Sequence, residues 1–486
     1  MANDTQVRET LFIGGEFVKP QSKDTIDVVS PHTEQVIGTV PDASPADIDA
    51  AVAAARQAFD DGPWPRMTPA ERAEGLKRLS GALQSRAQDI ADLISAQNGS
   101  PKQWSIMGQV FSATMVLDTY AGLTSNYQWE DDRTGALGSP VKVRRAPVGV
   151  AAGIIPWNVP LFISALKLGP AMAAGCPIVL KAAPETPLDA YLLAEAVLEA
   201  DLPPGVINIL AASRENSDHI LRHPGVDKIS FTGSSAVGRH IGEVAGSQLK
   251  RFTLELGGKS AAIVLDDWQI DDAALGQLVQ SGLMNNGQVC GAQSRILVGR
   301  KRYDEVVEAL GAAVGAMKVG DPLDDSTEIG PLVAERQRDR VKAFLDAGKD
   351  AGARAVVGGG TPDHLDTGWY VEPTVFADVS NDMKIAREEI FGPVLSVIPY
   401  DDEASAIKIA NDSDYGLCGS VWTADAEHGV AVAAQVRTGV VAINSSMILD
   451  FNAPFGGFKQ SGMGRELGPE GIDPYTEYQT IILPAG

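Results

Sequence analysis

The stretch 148–210 decides the fold, and it reads VGVAAGIIPWNVPLFISALKLGPAMAAGCPIVLKAAPETPLDAYLLAEAVLEADLPPGVINIL. Short apolar runs that alternate with segments of helical length are typical of a βαβ arrangement, and Gly175 is suited to close the first helix. The pattern predicts strands and helices in the order 148–155, 161–174, 177–181, 188–200 and 206–210. Strands alternating with helices imply an α/β protein with a parallel sheet, which binds ligands at the carboxyl ends of its strands.

The alternation continues toward the C-terminus. Lys228–Phe231 is predicted as a further strand, which runs into Thr232-Gly233-Ser234-Ser235 and then a helix to about Ala245. A second α/β pattern covers about 260–444, so we expect a second domain. These two patterns together assign most of the chain to the α/β class.

Toward the N-terminus, the segment 11–18 predicts a hairpin around Gly14-Gly15. Ser44-Pro45-Ala46-Asp47 and Thr68-Pro69-Ala70-Glu71 each have a hydroxyl cap, a proline and a carboxylate, which are signals of a helix start. The apolar periodicity of the second continues to about Ala96. The N-terminal third is therefore expected to be largely helical.

A polar stretch, 131–139, precedes Pro140–Arg145, in which apolar and charged residues alternate as in a half-exposed strand. Such a strand is either an assembly arm or an ordinary surface hairpin, and the pattern does not choose between them. Tyr478–Leu483 is predicted as one more strand.

Composition excludes several classes of function. The 486 residues suggest about three domains. With 40 Lys and Arg against 63 Asp and Glu, the net charge is −23, which argues against a nucleic-acid partner. The three cysteines have no CxxC spacing, so no metal is expected and a reducing compartment is indicated. A polar start and the absence of a long apolar run predict a cytoplasmic protein with no membrane role.

Cys290 lies in Asn285-Asn286-Gly287-Gln288-Val289-Cys290-Gly291, where glycines and amides favour a turn with accessible backbone. Free cysteines are more often small buried hydrophobes, and Cys176 and Cys418 are assigned that structural role. A reactive thiol at Cys290 is the alternative that the surrounding turn supports.

Glu255 stands inside an apolar run just before Gly257-Gly258. Burial would raise its pKa toward neutrality, which suits a general base, although alternation with Thr253 also allows a solvent-facing strand position. Asn158 follows a predicted strand and could donate to an oxyanion, or it could simply cap the next helix.

The sequence contains no GxGxxG motif. Its nearest substitute is the turn at 231–238, where Gly233 and Ser234 lie between a strand and a helix. The free N–H groups of a helix start can hold a phosphate, although such turns are more often capping alone. Lys181, at the end of the predicted strand 177–181, could hold a ribose hydroxyl or a phosphate.

Taken together, the chain resembles the aldehyde dehydrogenase superfamily over nearly its whole length. Six segments in order carry the resemblance: Ile155–Asn158, Phe231–Ser234, Leu254–Lys259, Gly287–Cys290, Glu389–Pro393 and Pro454–Gly457. The resemblance implies a Rossmann-type dinucleotide-binding domain at 1–123 and 147–257. It also implies an α/β catalytic domain at 258–457 and a small β oligomerisation arm at 124–146 and 458–486, giving a homodimer or homotetramer.

The resemblance also implies the roles of individual residues. Cys290 would attack the aldehyde to give a thiohemiacetal, Asn158 and the Cys290 N–H would stabilise the oxyanion, and Glu255 would activate water to hydrolyse the thioester. Lys167 and Glu466 match a proton relay. The implied cofactor residues are Ile154, Pro156, Trp157, Lys181, Gly233, Ser234, Leu256, Gly257, Glu389 and Phe391.

NAD is the expected cofactor, with NADP an open alternative. Many NAD-preferring members have a glutamate three residues after the lysine, whereas here that position is Pro184. The expected small-molecule substrate is an apolar aldehyde, aliphatic or terpenoid-like, because the implied tunnel residues carry no charge. Those residues, which could also be ordinary core, are Val159, Ile163, Leu166, Met284, Val289 and Phe455.

Three rival functions stay open at this point. A coenzyme A-acylating dehydrogenase would not need the base Glu255, and a catalytically silent relative would be expected to lack Cys290, Glu255 or Asn158. A cofactor-independent thiol hydrolase would need a histidine partner for the cysteine, and none adjoins the Cys290 motif.

Overall fold

The computed structural model describes residues 5–484. The first four positions of the predicted domain 1–123 and the last two of the predicted segment 458–486 lie outside the described residues. The strands are β1 Gln6–Val7, β2 Leu11–Ile13, β3 Glu16–Val18, β4 Thr25–Val29, β5 Val36–Pro41, β6 Glu130–Thr134, β7 Pro140–Pro147, β8 Ala151–Ile154, β9 Ile178–Ala182, β10 Ile207–Ala211, β11 Lys228–Thr232, β12 Arg251–Glu255, β13 Ala261–Val264, β14 Arg295–Gly299, β15 Arg354–Val357, β16 Thr374–Ala377, β17 Val394–Tyr400, β18 Cys418–Trp422, β19 Val440–Ile443, β20 Gly462–Met463 and β21 Thr476–Ile482.

The helices are α1 Pro45–Asp60, α2 Pro69–Gln84, α3 Ala87–Asn98, α4 Lys102–Trp104, α5 Ser112–Asn126, α6 Pro160–Ala174, α7 Asp189–Glu199, α8 Arg214–Arg222, α9 Ser235–Ser247, α10 Asp272–Leu283, α11 Tyr303–Gly315, α12 Glu335–Asp350, α13 Lys384–Arg387, α14 Glu403–Asn411 and α15 Ala426–Ala433. A π-helical segment, Ser105–Phe111, joins α4 to α5. Ser44 and Thr68 form the capping boxes that their sequences predict.

The first sheet has eight strands in the order β20-β12-β11-β8-β9-β10-β2-β3. Its five central strands run parallel, while β20 and the β2–β3 hairpin pair antiparallel at the edges. The chain builds from β8 to β10 in one direction and then returns to place β11 on the other side of β8. This reversal opens a crevice at the carboxyl ends of β8 and β11, where parallel sheets bind ligands.

The first sheet is covered on both faces, which explains its nearly continuous apolar strands. Ile178 and Leu180 of β9 pack in one hydrophobic cluster with α5 and α6, whereas Val179 packs in another with α1 and α9. All residues of α6 are buried, so this helix is apolar around its whole circumference.

The second sheet has seven strands in the order β15-β16-β17-β14-β13-β18-β19, all parallel except the β15–β16 pair. All seven strands lie within residues 261–443, inside the range of the second predicted α/β pattern. Its packing against α12 through Val341, Phe344 and Leu345 brings that helix to the crevice side of the molecule.

The third unit is a small antiparallel sheet in the order β21-β7-β6. The polar stretch 131–139 is not all loop, because Glu130–Thr134 pairs with β7. The predicted strand at 140–145 thus belongs both to a hairpin and to a three-stranded arm. Within the predicted arm segment 458–486, Gly462–Met463 pairs with β12 of the first sheet instead.

The predicted elements around the crevice are observed with shorter or shifted ends. The strand expected at 148–155 is Ala151–Ile154, and Gly175 ends α6 in the left-handed conformation that the sequence predicts. Along residues 5–484, no helix combines the length and the apolar character needed to cross a bilayer.

Candidate active site

A cavity of about 340 Å³ lies between the two larger sheets, at the carboxyl ends of β8, β11 and β12. Four of the five residues expected to take part in catalysis line it: Asn158, Glu255, Cys290 and Glu466. The fifth, Lys167, is fully buried behind Glu466. The fold therefore brings together side chains that are separated by up to about 300 residues in sequence.

Most of the expected cofactor and tunnel residues line the same cavity. From the cofactor set these are Pro156, Trp157, Gly233, Ser234, Leu256, Gly257, Glu389 and Phe391, and from the tunnel set Val159, Ile163, Leu166, Val289 and Phe455. Ile154 and Lys181 do not line it. Both belong to the strands beneath, and they are paired with one another across β8 and β9.

Met284, which was expected in the tunnel, is not among the residues that line this cavity. Met284 follows α10, where the backbone leaves helical geometry, and the next two residues, Asn285 and Asn286, have φ of 51° and 60°. Its side chain is half-exposed.

Several residues that line the cavity were not predicted from the sequence. Phe162, on α6, lies three residues after Val159 and four before Leu166, so helical spacing could have indicated it. Ile448 and Leu449 lie in an irregular loop after β19, where no periodicity indicates a direction. Arg336, Gln337 and Arg340 on α12 also line the cavity.

Asn158 is fixed from both its backbone and its side chain. Its carbonyl oxygen accepts from the side-chain amides of Asn98 (3.2 Å), Gln109 (3.4 Å) and Asn285 (3.1 Å). Its own Nδ2 donates to the Gln288 carbonyl oxygen at 2.8 Å. An amide nitrogen carries two hydrogens, so one donor remains to face the cavity beside Cys290.

Cys290 is half-buried in the turn that follows the kink. Burial, and then the charges of Glu389 and Glu255, raise the pKa of its thiol to about 12. The resting side chain is therefore a protonated thiol at neutral pH. Cys176 and Cys418 are fully buried, in agreement with a structural role for both.

Glu255 ends β12 and is buried, and neither of its carboxylate oxygens has a hydrogen-bond partner among the described residues. Burial, and then the charge of Glu466, raise its pKa well above the ordinary value. A buried carboxyl group without partners is unfavourable for stability, so its presence here points to a chemical use.

Lys167 and Glu466 form a buried ion pair next to Glu255. Lys167 Nζ also donates to Thr232 Oγ1 at 2.6 Å, which ties the pair to the end of β11. Glu466 Oε2 is buried without a partner among the described residues. This arrangement gives Glu255 a neighbouring carboxylate and ammonium with which a proton could be exchanged.

The opposite wall of the cavity is formed around Glu389. Its Oε1 accepts from the Gly258 N–H at 3.0 Å, and a Cβ on Gly257 would lie 2.3 Å from Glu389 Oε2. Only glycine at 257 allows this approach. Burial raises the pKa of Glu389 to about 7, against the Gly258 hydrogen bond and the charges of Lys259 and Arg340.

Phe391 has φ of 61°, and its ring lies edge-on to Trp157 with centroids 5.3 Å apart. Gln337 holds this strained residue by donating to its carbonyl oxygen at 2.7 Å. Ser234 caps the thirteen-residue helix α9, whose N-terminus faces the cavity at Gly233. A helix start, an aromatic pair and a carboxylate in one cavity fit the phosphates, the ring and a ribose of a dinucleotide.

Within the described part of the chain, no group of three or more His, Cys, Asp or Glu side chains is arranged to hold a metal ion. A thiol, an amide donor and an unpaired carboxyl group around one apolar cavity are suited to acyl chemistry at a carbonyl carbon.

Proteins and structures similar to this chain are aldehyde dehydrogenases. A model of the aldehyde dehydrogenase family matches residues 17–481. Geranial dehydrogenase of Castellaniella defragrans is 48% identical over 475 residues, covering 97% of this chain and 98% of that protein.

Two solved structures are also similar to this chain. An aldehyde dehydrogenase of Mycobacterium tuberculosis complexed with NAD+ superposes with a TM-score of 0.97, at 48% identity and with 99% of both chains covered. An aldehyde dehydrogenase of Pseudomonas syringae, complexed with NAD+ and octanal, has a TM-score of 0.94 at 39% identity, covering 98% of this chain and 96% of that one. Because the family model and these relatives span nearly its whole length, the chain belongs to the aldehyde dehydrogenase family.

Proposed function

We propose that this enzyme oxidises an apolar aldehyde to the carboxylic acid through a thioester on Cys290, with NAD as the hydride acceptor. One observation carries the proposal: the Cys290 thiol shares a largely apolar cavity with the buried, unpaired carboxyl group of Glu255 and with the amide of Asn158. The reaction type follows from the family to which the chain belongs. The roles of individual residues are assigned from their positions in the cavity.

In the first half of the reaction, the Cys290 thiol releases its proton to water in the cavity, and its sulfur attacks the aldehyde carbon. The free N–H of Asn158 and the backbone N–H of Cys290 donate to the developing oxyanion, because Asn158 is held by the Gln288 carbonyl and three amides. The nicotinamide supplies the acceptor for the hydride that leaves the thiohemiacetal carbon.

In the second half, Glu255 takes a proton from water, which attacks the thioester and releases the acid. A raised pKa makes the ionised carboxylate a stronger base, and the missing hydrogen bonds leave its oxygens free for water. The Lys167–Glu466 pair then accepts the proton from Glu255, because Glu466 is the charge that acts most strongly on it.

Two kinds of observation support the cofactor assignment: the positions of the residues in the cavity and the NAD+ complexes of similar proteins. Glu389 lies beside Gly257 and Gly258, the Phe391 ring lies edge-on to Trp157, and Ser234 caps the start of α9. We assign the nicotinamide ribose to Glu389, the ring to Phe391 and the phosphates to the start of α9. NAD is preferred because similar structures are complexed with NAD+.

The substrate class follows from the wall of the cavity around Cys290. The side chains of this wall are apolar, and they belong to Val159, Phe162, Ile163, Leu166, Ile448, Leu449 and Phe455. The two arginines of the cavity already have partners, Glu185 for Arg336 and the Glu389 carbonyl oxygen for Arg340. An uncharged aliphatic or terpenoid-like aldehyde fits such a wall, and relatives described as acting on geranial or binding octanal agree with this choice.

The test is a steady-state assay at 340 nm with octanal, in which NAD and NADP are compared for the native chain and for Cys290→Ala. We expect reduction of the cofactor by the native chain and none by the variant. Higher activity with a charged semialdehyde than with octanal would refute the substrate class. Coenzyme A should not accelerate turnover, because water activated by Glu255 releases the product.

We also propose that the three-stranded sheet β21-β7-β6 is an assembly arm of a homodimer or homotetramer. Its outer strand exposes Tyr478 and Ile482 at 65% and 71%, which is unusual for large apolar side chains. Light scattering of the native chain and of Ile482→Lys checks the assignment, with a smaller assembly expected for the variant.

A further inference from the structure

One face of strand β11 is polar although the whole strand is buried. Lys228, Ser230 and Thr232 alternate along it with Ile229 and Phe231. Because successive side chains of a strand point to opposite faces, the three polar residues lie on the same face. The two apolar residues pack on the other face, in the hydrophobic cluster with α1 and α9. Buried polar groups are unfavourable without partners, so the contacts of this polar row, Lys228, Ser230 and Thr232, have to offset its burial.

The polar row leads away from the Lys167–Glu466 ion pair. Thr232 Oγ1 accepts from Lys167 Nζ at 2.6 Å, and Ser230 Oγ donates to Glu466 Oε1 at 3.5 Å. Lys228 lies four residues before Thr232, which is about 13 Å along an extended strand. The polar row therefore begins at the proposed proton relay and ends at the amino ends of the parallel strands.

Lys228 is a buried lysine for which the proposed reaction has no use so far. Its Nζ donates to Thr253 Oγ1 at 2.7 Å and lies 4.7 Å from the centre of the Tyr475 ring. Burial, and then the charge of Lys167, lower the pKa of Lys228 to about 7, against the charge of Glu466. A lysine with this pKa is present in its neutral and its protonated form at neutral pH, so it can take up and release a proton.

Tyr475 lies beside both Lys228 and Glu466. Its hydroxyl group is buried and has no hydrogen-bond partner among the described residues, and the same is true of Glu466 Oε2. Burial, and then the charge of Glu466, raise the pKa of this hydroxyl group. A hydroxyl group can accept one proton while it donates another, so Ser230 and Tyr475 are suited to transfer a proton between the carboxylate and the amine.

We propose that the polar row extends the proton relay and that Lys228 is its terminal proton acceptor. The inference rests on the proposed hydrolysis of a thioester. The proton that Glu255 takes from water passes to Glu466, through the two hydroxyl groups, and to the amine of Lys228. Glu255 becomes a carboxylate again and the amine becomes an ammonium group, so only O–H and N–H bonds break and form. The ammonium group releases the proton at the amino end of β11, where the preceding residue, Asp227, lines a surface cavity of about 470 Å³.

The experiment compares Lys228→Met with Lys228→Arg. Methionine cannot carry a proton, whereas arginine keeps the positive charge but does not release its proton. Each full-length chain is mixed at pH 7 with excess NAD and less than one equivalent of octanal. Absorbance at 340 nm follows the formation of reduced cofactor, and quenched mass spectrometry follows the loss of the octanoyl group from Cys290. We expect both variants to form the thioester at the native rate and to hydrolyse it about tenfold more slowly.

The solvent deuterium isotope effect on hydrolysis separates a lost proton route from a lost contact. It should increase in both variants, because proton transfer then limits the rate. The matched control is Lys250→Met. Lys250 is a half-buried lysine near the same end of the sheet, and it donates to the carbonyl oxygens of Leu221 and His223. This substitution should leave both rates and the isotope effect unchanged.

Native hydrolysis in Lys228→Arg would overturn the inference, because the charge of the side chain would then be sufficient. Native hydrolysis in Lys228→Met, or an equal loss in Lys250→Met, would overturn it as well. Equal slowing of thioester formation and hydrolysis with an unchanged isotope effect would show a structural role alone. A native chain that reduces NAD without forming a thioester would refute the proposed reaction and this route together, whereas a thioester that forms and is hydrolysed normally in all variants would refute the route alone.

Discussion

Two glutamates on opposite walls of one cavity differ in their hydrogen-bond partners and in the charges around them. Glu389, on the cofactor wall, accepts from Gly258 and has the cations Lys259 and Arg340 acting on it. Glu255, on the catalytic wall, has no hydrogen-bond partner for either oxygen among the described residues. Both have raised pKa values, and burial is the first cause in each.

Under the roles proposed above, the difference would let one residue type serve two tasks. A carboxylate that must bind a ribose is kept in position by donors and by a glycine that allows close approach. A carboxyl group that must take a proton is buried without partners, so its oxygens stay available to water and its basicity is high. Substitutions on the catalytic wall should therefore lower kcat, whereas substitutions on the cofactor wall should weaken the binding of NAD.

The largest effect is expected for Glu255→Gln. Loss of the base should lower kcat for octanal oxidation by about 10³-fold, because hydrolysis of the thioester loses its proton acceptor. The KM for NAD should stay within about threefold of the native value, since the cofactor wall is intact. Steady-state kinetics at 340 nm measure both constants. A kcat close to the native value would show that Glu255 is not the base.

The thiol on the catalytic wall should respond strongly to pH. With a pKa of about 12, the thiolate fraction of Cys290 in the cofactor-free protein rises about tenfold per pH unit. Alkylation by iodoacetamide should therefore accelerate about 100-fold between pH 8 and pH 10 without reaching a plateau. Mass spectrometry follows the reaction, and Cys290→Ala gives the background from Cys176 and Cys418. A plateau near pH 8 would contradict the raised pKa.

On the cofactor wall, Glu389→Gln should act mainly on binding. Loss of the charged acceptor should weaken NAD about tenfold, the expected value for one hydrogen bond to a charged group. Titration calorimetry measures this Kd. The matched comparison is Glu388→Gln, at the exposed neighbouring position, which should leave the Kd unchanged. Equal effects of the two variants on the Kd would show that Glu389 has no specific role in binding NAD.

The smallest effect is expected at the edge of the apolar wall. Leu449→Ala should lower kcat/KM for octanal about threefold and leave propanal unchanged, since only the longer chain reaches this side chain. Met447→Ala, in the same loop but 67% exposed, is the control and should change neither substrate. A loss shared equally by octanal and propanal would show that Leu449 supports the site instead of contacting the substrate.

The sequence was sufficient for the residues that lie in compact motifs. Asn158 follows a strand, Glu255 ends one and Cys290 lies in a glycine-containing turn, and the structure places all three on one cavity. The parallel sheets were predictable for the same reason, because apolar runs and helix caps are local signals. The ends of the strands shifted by a few residues, since pairing between strands decides where each one stops.

Contacts between distant segments could not be predicted in this way. Met284 was expected in the tunnel, but it precedes the left-handed residues Asn285 and Asn286 and is not among the residues that line the cavity. Leu449 comes from an irregular loop, and Arg336 reaches the cavity only because α12 packs on the second sheet. Such positions depend on tertiary packing, which leaves no periodic pattern in the sequence.

The most direct measurement of the covalent mechanism is intact-protein mass spectrometry of Glu255→Gln, quenched shortly after mixing with NAD and octanal. The acyl-enzyme should accumulate, because its formation needs Cys290 and Asn158 whereas its hydrolysis needs Glu255. We predict one octanoyl group per chain, on the peptide that contains Cys290, together with one equivalent of reduced cofactor. Reduced cofactor without an adduct on Cys290, or no burst while the native chain turns over, would contradict the account.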